Sequence, residues 1–221
     1  MKRRSLIHLL PFLSASFIVP KESQLIYNQP KTWLIAIGTS ACKLGMTFYK
    51  QNRYQINFHG IDSTNNSHDS ITWFYKTRLS DKLLDYHNQF EDVMEEDWQH
   101  NLDCHYYEEC IRLISGNVIV LTNLGGKTSS FVTHKLVTEL IKIKGLEVKV
   151  ICSTPFDFWS GEQGALLAQK CCDQLKREKV DMKVLNFMSY LTSHPDMGMN
   201  ESFKHMDSAL IEEITYHLIN N

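Results

Sequence analysis

The order of elements along the chain predicts an α/β fold, a mostly parallel sheet with helices on both faces. Three observations carry it. Trp33-Leu34-Ile35-Ala36-Ile37 is a continuous apolar run closed by Gly38-Thr39-Ser40-Ala41. Asn117 to Thr122 is a second such run, which breaks at Gly125-Gly126 and passes into an apolar-periodic segment reaching Lys144. Further strand-like runs alternate with helical periods to the end of the chain. Runs of this length without polar alternation suit strands buried on both faces, and the small residues that close them suit turns.

The composition bounds the rest. The chain has 221 residues, ample for one domain with a sizeable core. A net charge of −2 with dispersed signs leaves no electrostatic footprint for nucleic acid or an anionic membrane. Cys42, Cys104, Cys110, Cys152, Cys171 and Cys172 are too few and too irregular for a secreted disulfide scaffold, so reduced thiols in the cytoplasm are expected. Lys2-Arg3-Arg4 followed by Leu6 to Val19 has the outline of a signal peptide. His8, Pro11, Ser14 and Ser16 interrupt that run, and no small-x-small cleavage site precedes Pro20. The run is also too short to span a bilayer as a helix. Residues 1–30 are read as an N-terminal arm or linker, and residues 31–221 as one domain.

Taken in order, the strand at 33–37 leads to a helix expected from about Lys43 to Gln51, then to a strand over Gln55 to Asp62. Strand, small-residue turn, helix, strand and terminal carboxylate is the order of a nucleotide-binding βαβ half, although the turn lacks the full G-x-G-x-x-G. Residues 63–80 are polar and turn-like. From Asp81 to about Ile114 the pattern is helical, with an acidic run (Glu91, Asp92, Glu95, Glu96, Asp97) that suits a solvated face. His100, Cys104, His105 and Cys110 invite a zinc reading, but their spacing matches no two-plus-two arrangement, so no metal is expected.

The strand at 117–122 and its Gly125-Gly126 turn would present backbone N–H groups and a helix N-terminus beyond the sheet edge, which suits a phosphate. Lys127 adds a positive charge, and Thr128, Ser129 and Ser130 add hydroxyls. A helix is expected over Val132 to Lys144, a strand over Glu147 to Cys152, and a break at Pro155-Phe156-Asp157-Phe158. Next come a helix from Gly164 to Lys179 with Leu166, Leu167, Cys171 and Leu175 inward, and a strand over Met182 to Phe187. A loop from His194 to Met199 and a helix from about Asn200 to Ile219 complete the chain. In that last helix Phe203, Leu210, Ile211 and Ile214 share a face with Asp207, placing a carboxylate in an apolar stripe. Either it pairs with a core Lys or His or lies at the stripe's margin, or it receives the ring N–H and amino group of a guanine edge.

Several of these segments together resemble the FtsZ/tubulin superfamily. Asn123-Leu124-Gly125-Gly126-Lys127-Thr128-Ser129-Ser130 is similar to its glycine-rich phosphate loop, G-M-G-G-G-T-G-[ST]-G. Val148 to Phe158 resembles its strand ending in T-x-P-F-x-F, and Ser202 to Leu210 the A-F-x-x-x-D-x-x-L start of its central helix, whose Asp contacts guanine. Gly38-Thr39-Ser40 occupies the place of the first glycine-rich loop, and Ile61-Asp62-Ser63 resembles the segment after the second strand. The resemblance covers roughly residues 31–219. It implies a Rossmann-like tubulin/FtsZ GTPase-domain architecture. It also implies a GTP or GDP site, with or without magnesium, formed by Gly38, Thr39, Ser40, Asp62, Gly125, Gly126, Lys127, Thr128, Ser129 and Asp207.

The sequence departs from the pattern in places. Lys127 and Phe131 stand where the family has small residues, the third glycine-rich segment has no match at 63–80, and the guanine-contacting Asn falls near Met188 unless Asn186 takes its role. The acidic loop and second domain that follow the central helix in FtsZ have no counterpart before Asn221, so binding without self-activated hydrolysis is the expectation, and no catalytic residue is assigned. Regulation of a full-length FtsZ-like protein, or self-association, is the partner expectation. Two alternatives stand beside it. One is a nucleotide-free pseudo-GTPase module; the other is a P-loop NTPase, suggested by Gly126-Lys127-Thr128 but lacking the first Walker glycine, whose place Leu121 takes.

Overall fold

A six-stranded, all-parallel sheet is the frame of the computed structural model, which describes residues 32–51, 56–62, 75–78, 111, 114–155 and 157–220. The strands are β1 (Thr32–Ile37), β2 (Ile56–Asp62), β3 (Tyr75–Arg78), β4 (Asn117–Asn123), β5 (Glu147–Thr154) and β6 (Asp181–Asn186). Their spatial order is β3-β2-β1-β4-β5-β6, so the strand order reverses between β1 and β4. In open sheets of this kind a crevice opens beyond the carboxyl ends at that reversal. The described helices are α1 (Thr39–Gln51), α2 (Lys127–Leu140), α3 (Asp157–Arg177), α4 (Phe187–Ser193) and α5 (Met199–Asn220).

Burial on both faces explains the continuous apolar runs. In β4, Val118 and Val120 face a core shared with α2 and α3, where Val132, Leu136, Leu140, Cys171 and Leu175 pack. Ile119 and Leu121 face the opposite core, shared with α1 and α5 through Cys42, Phe48, Met206, Leu210 and Ile214. Each fully buried aliphatic side chain contributes about 1.5–3 kcal/mol relative to exposure, so these two layers dominate the fold's stability. The four described cysteines are free and buried. Burial, and next the neighbouring Asp62 charge, pushes the Cys42 thiol up to about 12.

Several expected boundaries move. The first helix begins at Thr39 rather than Lys43, because the Gly38 carbonyl already accepts the Cys42 N–H at 2.9 Å. The helix expected to reach Lys144 ends at Leu140, and the turn that follows closes on Gly145 at φ +88°. α3 begins at Asp157, well before Gly164, and is interrupted by non-helical backbone at Gly161. Leu166 is exposed rather than inward, and Gly164 and Ala168 are buried instead. The stretch 63–80 contains β3, whose Tyr and Thr favour strands. The short helix α4 follows β6 directly where no helix was expected.

α5 runs against the strands. Its first turns meet the carboxyl side, where Phe203 lies 5.0 Å from Phe187 ring to ring, just beyond β6. Further along, Glu213 reaches Lys149 at 3.8 Å and Lys183 at 3.5 Å, on β5 and β6 respectively. Its buried row is Ser202, Met206, Leu210 and Ile214, not the row through Phe203 and Asp207. Met206 takes the inward position, which turns the stripe by about one residue, or ~100° at 3.6 residues per turn.

Candidate functional site

The carboxyl ends of β1 and β4 present the two segments predicted to bind phosphate, and the structure brings them into contact. Gly38 follows β1 at φ +88°, and a Cβ built there would lie 3.2 Å from the Ser129 Cβ in the first turn of α2. Gly38 donates its N–H to the Ile61 carbonyl at 2.8 Å, which holds the turn against the end of β2. Thr39 and Ser40 then open α1, with Ser40 exposed. Thr39 Oγ1 donates to Asp62 Oδ2 at 2.9 Å, and Asp62 is 1 % exposed. The carboxylate that ends β2 therefore positions the β1 turn from below.

Beyond β4 the chain turns through Leu124, Gly125 and Gly126. The Leu124 N–H is accepted by the Ser153 carbonyl at 2.8 Å, and Ser153 Oγ donates to Asn123 Oδ1 at 3.0 Å, tying the turn to β5. Gly125 has φ +99°, and a Cβ there would meet Pro155 Cγ at 2.5 Å. Both the backbone sign and the proline ring reserve this position for glycine. Gly126 is the N-cap of α2 and supplies no side-chain cap. The first-turn N–H groups of a helix without a cap are open donors carrying the positive end of its dipole.

The Gly125 N–H, expected to face a ligand, instead donates to Ser130 Oγ at 2.9 Å. A hydroxyl five residues on has closed that donor within the loop. Ser129 Oγ donates to the Gly126 carbonyl at 3.2 Å, and Ser129 is 5 % exposed. The side chains of Lys127 and Thr128 lie outside the described residues. So do residues 1–30 and the cluster His100, Cys104, His105 and Cys110. Among the described residues no group of three or more His, Cys, Asp or Glu side chains could hold a metal ion.

Asp207 stands on α5, on the opposite flank of the carboxyl edge from α2. It is solvent-accessible, at the margin of the buried row rather than within it, which corrects the expectation of an apolar stripe. Partial burial raises its carboxyl above the ordinary range. Asn186 ends β6, and its Oδ1 accepts the Ser189 N–H at 3.0 Å as the N-cap of α4. Sequence reasoning did not foresee that cap, though Asn three residues before Ser is a legible N-cap signal. It likewise missed Ser130 as partner of Gly125, which no local periodicity marks. Leu121, where a P-loop would need glycine, is wholly buried within β4.

An all-parallel sheet of this order, with two helix N-termini at its switch point, is the doubly wound α/β architecture. No family model and no curated protein matches the chain in sequence; solved structures match it in fold. An empty FtsZ dimer from M. jannaschii superposes with a TM-score of 0.69 at 17 % identity, over 91 % of this chain and 59 % of that one. CetZ2 from Haloferax volcanii, a GTPγS-bound protofilament, gives 0.64 at 15 % identity, over 85 % and 58 %. TubZ of Clostridium botulinum phage c-st gives 0.53 at 13 % identity, over 70 % and 51 %. The chain thus has the FtsZ/tubulin GTPase-domain fold and spans less than three fifths of the length of these proteins.

Proposed function

We propose that this chain is a guanine-nucleotide-binding protein of the FtsZ/tubulin superfamily, taking GTP or GDP at the crevice between β1 and β4. The observation that carries the reading is the convergence of two helix N-termini there, with the Gly38 position 3.2 Å from Ser129. The N-termini of α1 and α2 carry the positive ends of their helix dipoles, which suits phosphates. Gly38, Thr39, Ser40, Gly125, Gly126, Lys127, Thr128 and Ser129 form the phosphate side. Asp62 is buried and acts through Thr39. Asp207 is the base-recognising carboxylate, able to accept two parallel N–H bonds from guanine. Magnesium would be held chiefly by the phosphates, as is usual for that ion.

CetZ2 binding GTPγS in a protofilament and CetZ1 binding GDP as a monomer support the ligand class and the possibility of self-association by analogy of fold. Binding, rather than hydrolysis, is the activity we assign to residues 31–221, in a cytoplasmic cytoskeletal or cell-division role. Among the described residues no helix is long and apolar enough to cross a membrane.

A thermal-shift panel of GTP, GDP, ATP and ADP with magnesium tests the reading, since a ligand bound only to the native state raises its melting temperature. Guanine nucleotides should stabilise and adenine nucleotides should not. Asp207→Ala should abolish the difference; tight guanine binding that survives it would refute the base assignment. The internal bond from Gly125 N–H to Ser130 Oγ favours a second reading, a nucleotide-free interaction module. No shift with any of the four nucleotides would select it.

A further inference from the structure

Tyr216 and Ile219 are 63 % and 62 % exposed, and their i, i+3 spacing puts them on one face of the last turns of α5. The ion pairs of Glu213 locate that face. Lys149, which Glu213 reaches, is level with Ile119 of β4 and through it with Leu34 of β1. Because α5 runs against the strands, Tyr216 and Ile219 lie about 4.5 and 9 Å beyond that level at ~1.5 Å per residue. Thr32 lies two strand residues from Leu34 in the same direction, about 7 Å at ~3.3 Å per residue. The exposed apolar face therefore stands at the amino edge of the sheet, at the level where residues 1–31 join β1.

We propose that this face docks the chain's own residues 6–19 in cis. The segment carries Leu6, Ile7, Leu9, Leu10, Phe12 and Leu13 within eight positions, a density of apolar surface whose exposure to water is costly. Residues 20–31 connect it to β1 and can extend to ~40 Å at up to ~3.6 Å per residue. The distance to cross, from β1 to β5 or β6, is about 10–15 Å at ~4.8 Å per strand. A tethered segment faces its site at millimolar effective concentration, so a modest apolar contact suffices and a free partner must outcompete it. Charge at this edge is mixed, with Glu147 and Glu212 exposed alongside Lys142, Lys144 and Lys179, so the apolar contact and the tether carry the docking. This docking is independent of any nucleotide at the opposite edge.

Hydrogen exchange of the 221-residue chain, followed by mass spectrometry, tests it. Combined Leu9→Glu, Leu10→Glu and Leu13→Glu should accelerate exchange of residues 212–220 by about tenfold, a local opening, while residues 117–123 of β4 stay unchanged. Reciprocally, Tyr216→Ser with Ile219→Ser should accelerate exchange of residues 6–19. If the triple variant also loosens β4, the reciprocal pair decides. Unchanged exchange in the reciprocal experiment overturns the proposal. So does protection of 212–220 that grows with protein concentration, which would mark a second copy as occupant. Purified protein lacking residues 1–19, as a processed leader would leave it, overturns it too.

Discussion

Replacing Gly125 by alanine probes the turn on which the crevice depends. Two costs add. The backbone at φ +99° is one that a side chain disfavours by about 1–2 kcal/mol. The new Cβ would also sit 2.5 Å from Pro155 Cγ and 3.0 Å from its Cβ, inside contact distance of a rigid ring. Forcing an extra methyl into a packed site costs about 1–3 kcal/mol. Together, about 2–5 kcal/mol should be lost, a fall in melting temperature of roughly 4–20 °C for a domain of this size. Gly145→Ala is the matched control, because φ there is +88° and a Cβ would meet nothing within 4 Å. It should lose only the backbone part. Adding Pro155→Ala to Gly125→Ala should recover most of the excess, a coupling expected between residues in direct contact. Urea denaturation of the four proteins measures it. If Gly125→Ala costs no more than Gly145→Ala, the close approach of the β4 turn to Pro155 is wrong.

Three further outcomes follow from the geometry. Thr39→Val removes a hydroxyl donor from the buried Asp62 and should cost about 1–3 kcal/mol in urea denaturation, the penalty for a buried acceptor short of a donor. Asp207 has a raised folded-state pKa, so the native state holds its proton to higher pH than the unfolded chain. Its effect on stability is a loss as pH rises from the ordinary carboxylate value through the folded one. Asp207→Asn should remove that loss, raising the melting temperature relative to the unmodified protein more at pH 7 than at pH 3, where the carboxyl is largely protonated in native and unfolded states alike. Leu210→Ala should cost about 2–5 kcal/mol, whereas Leu166→Ser should stay within about 0.5 kcal/mol, because one is wholly buried and the other 54 % exposed.

The central strands were legible because burial on both faces writes itself as an unbroken apolar run, as in β1 and β4. The helix faces were less legible. In α5 either Phe203 or Met206 satisfies an apolar period, and the choice between them rests on packing against β5 in the core that holds Ile151, far away in sequence. The same limit misplaced Leu166. Of the candidate site, the phosphate-side turns and the carboxylate ending β2 were readable from small residues at strand ends. The internal bonds of the loop were not. Whether Gly125 offers its N–H outward or to Ser130 depends on a side-chain torsion, not on residue type.

The outermost strand on one side, β6, has a consequence for assembly. It is only six residues long, and it places Asp181 and Lys183 along its length. An exposed strand edge is a template for pairing with another chain, and charges on a short edge strand oppose that pairing. Copies of this protein meeting antiparallel at β6 would bring aspartate to aspartate in one register and lysine to lysine in another, and would pair Asp181 with Lys183 only in the register between them. A short edge strand carrying charge thus disfavours sheet-to-sheet extension through β6.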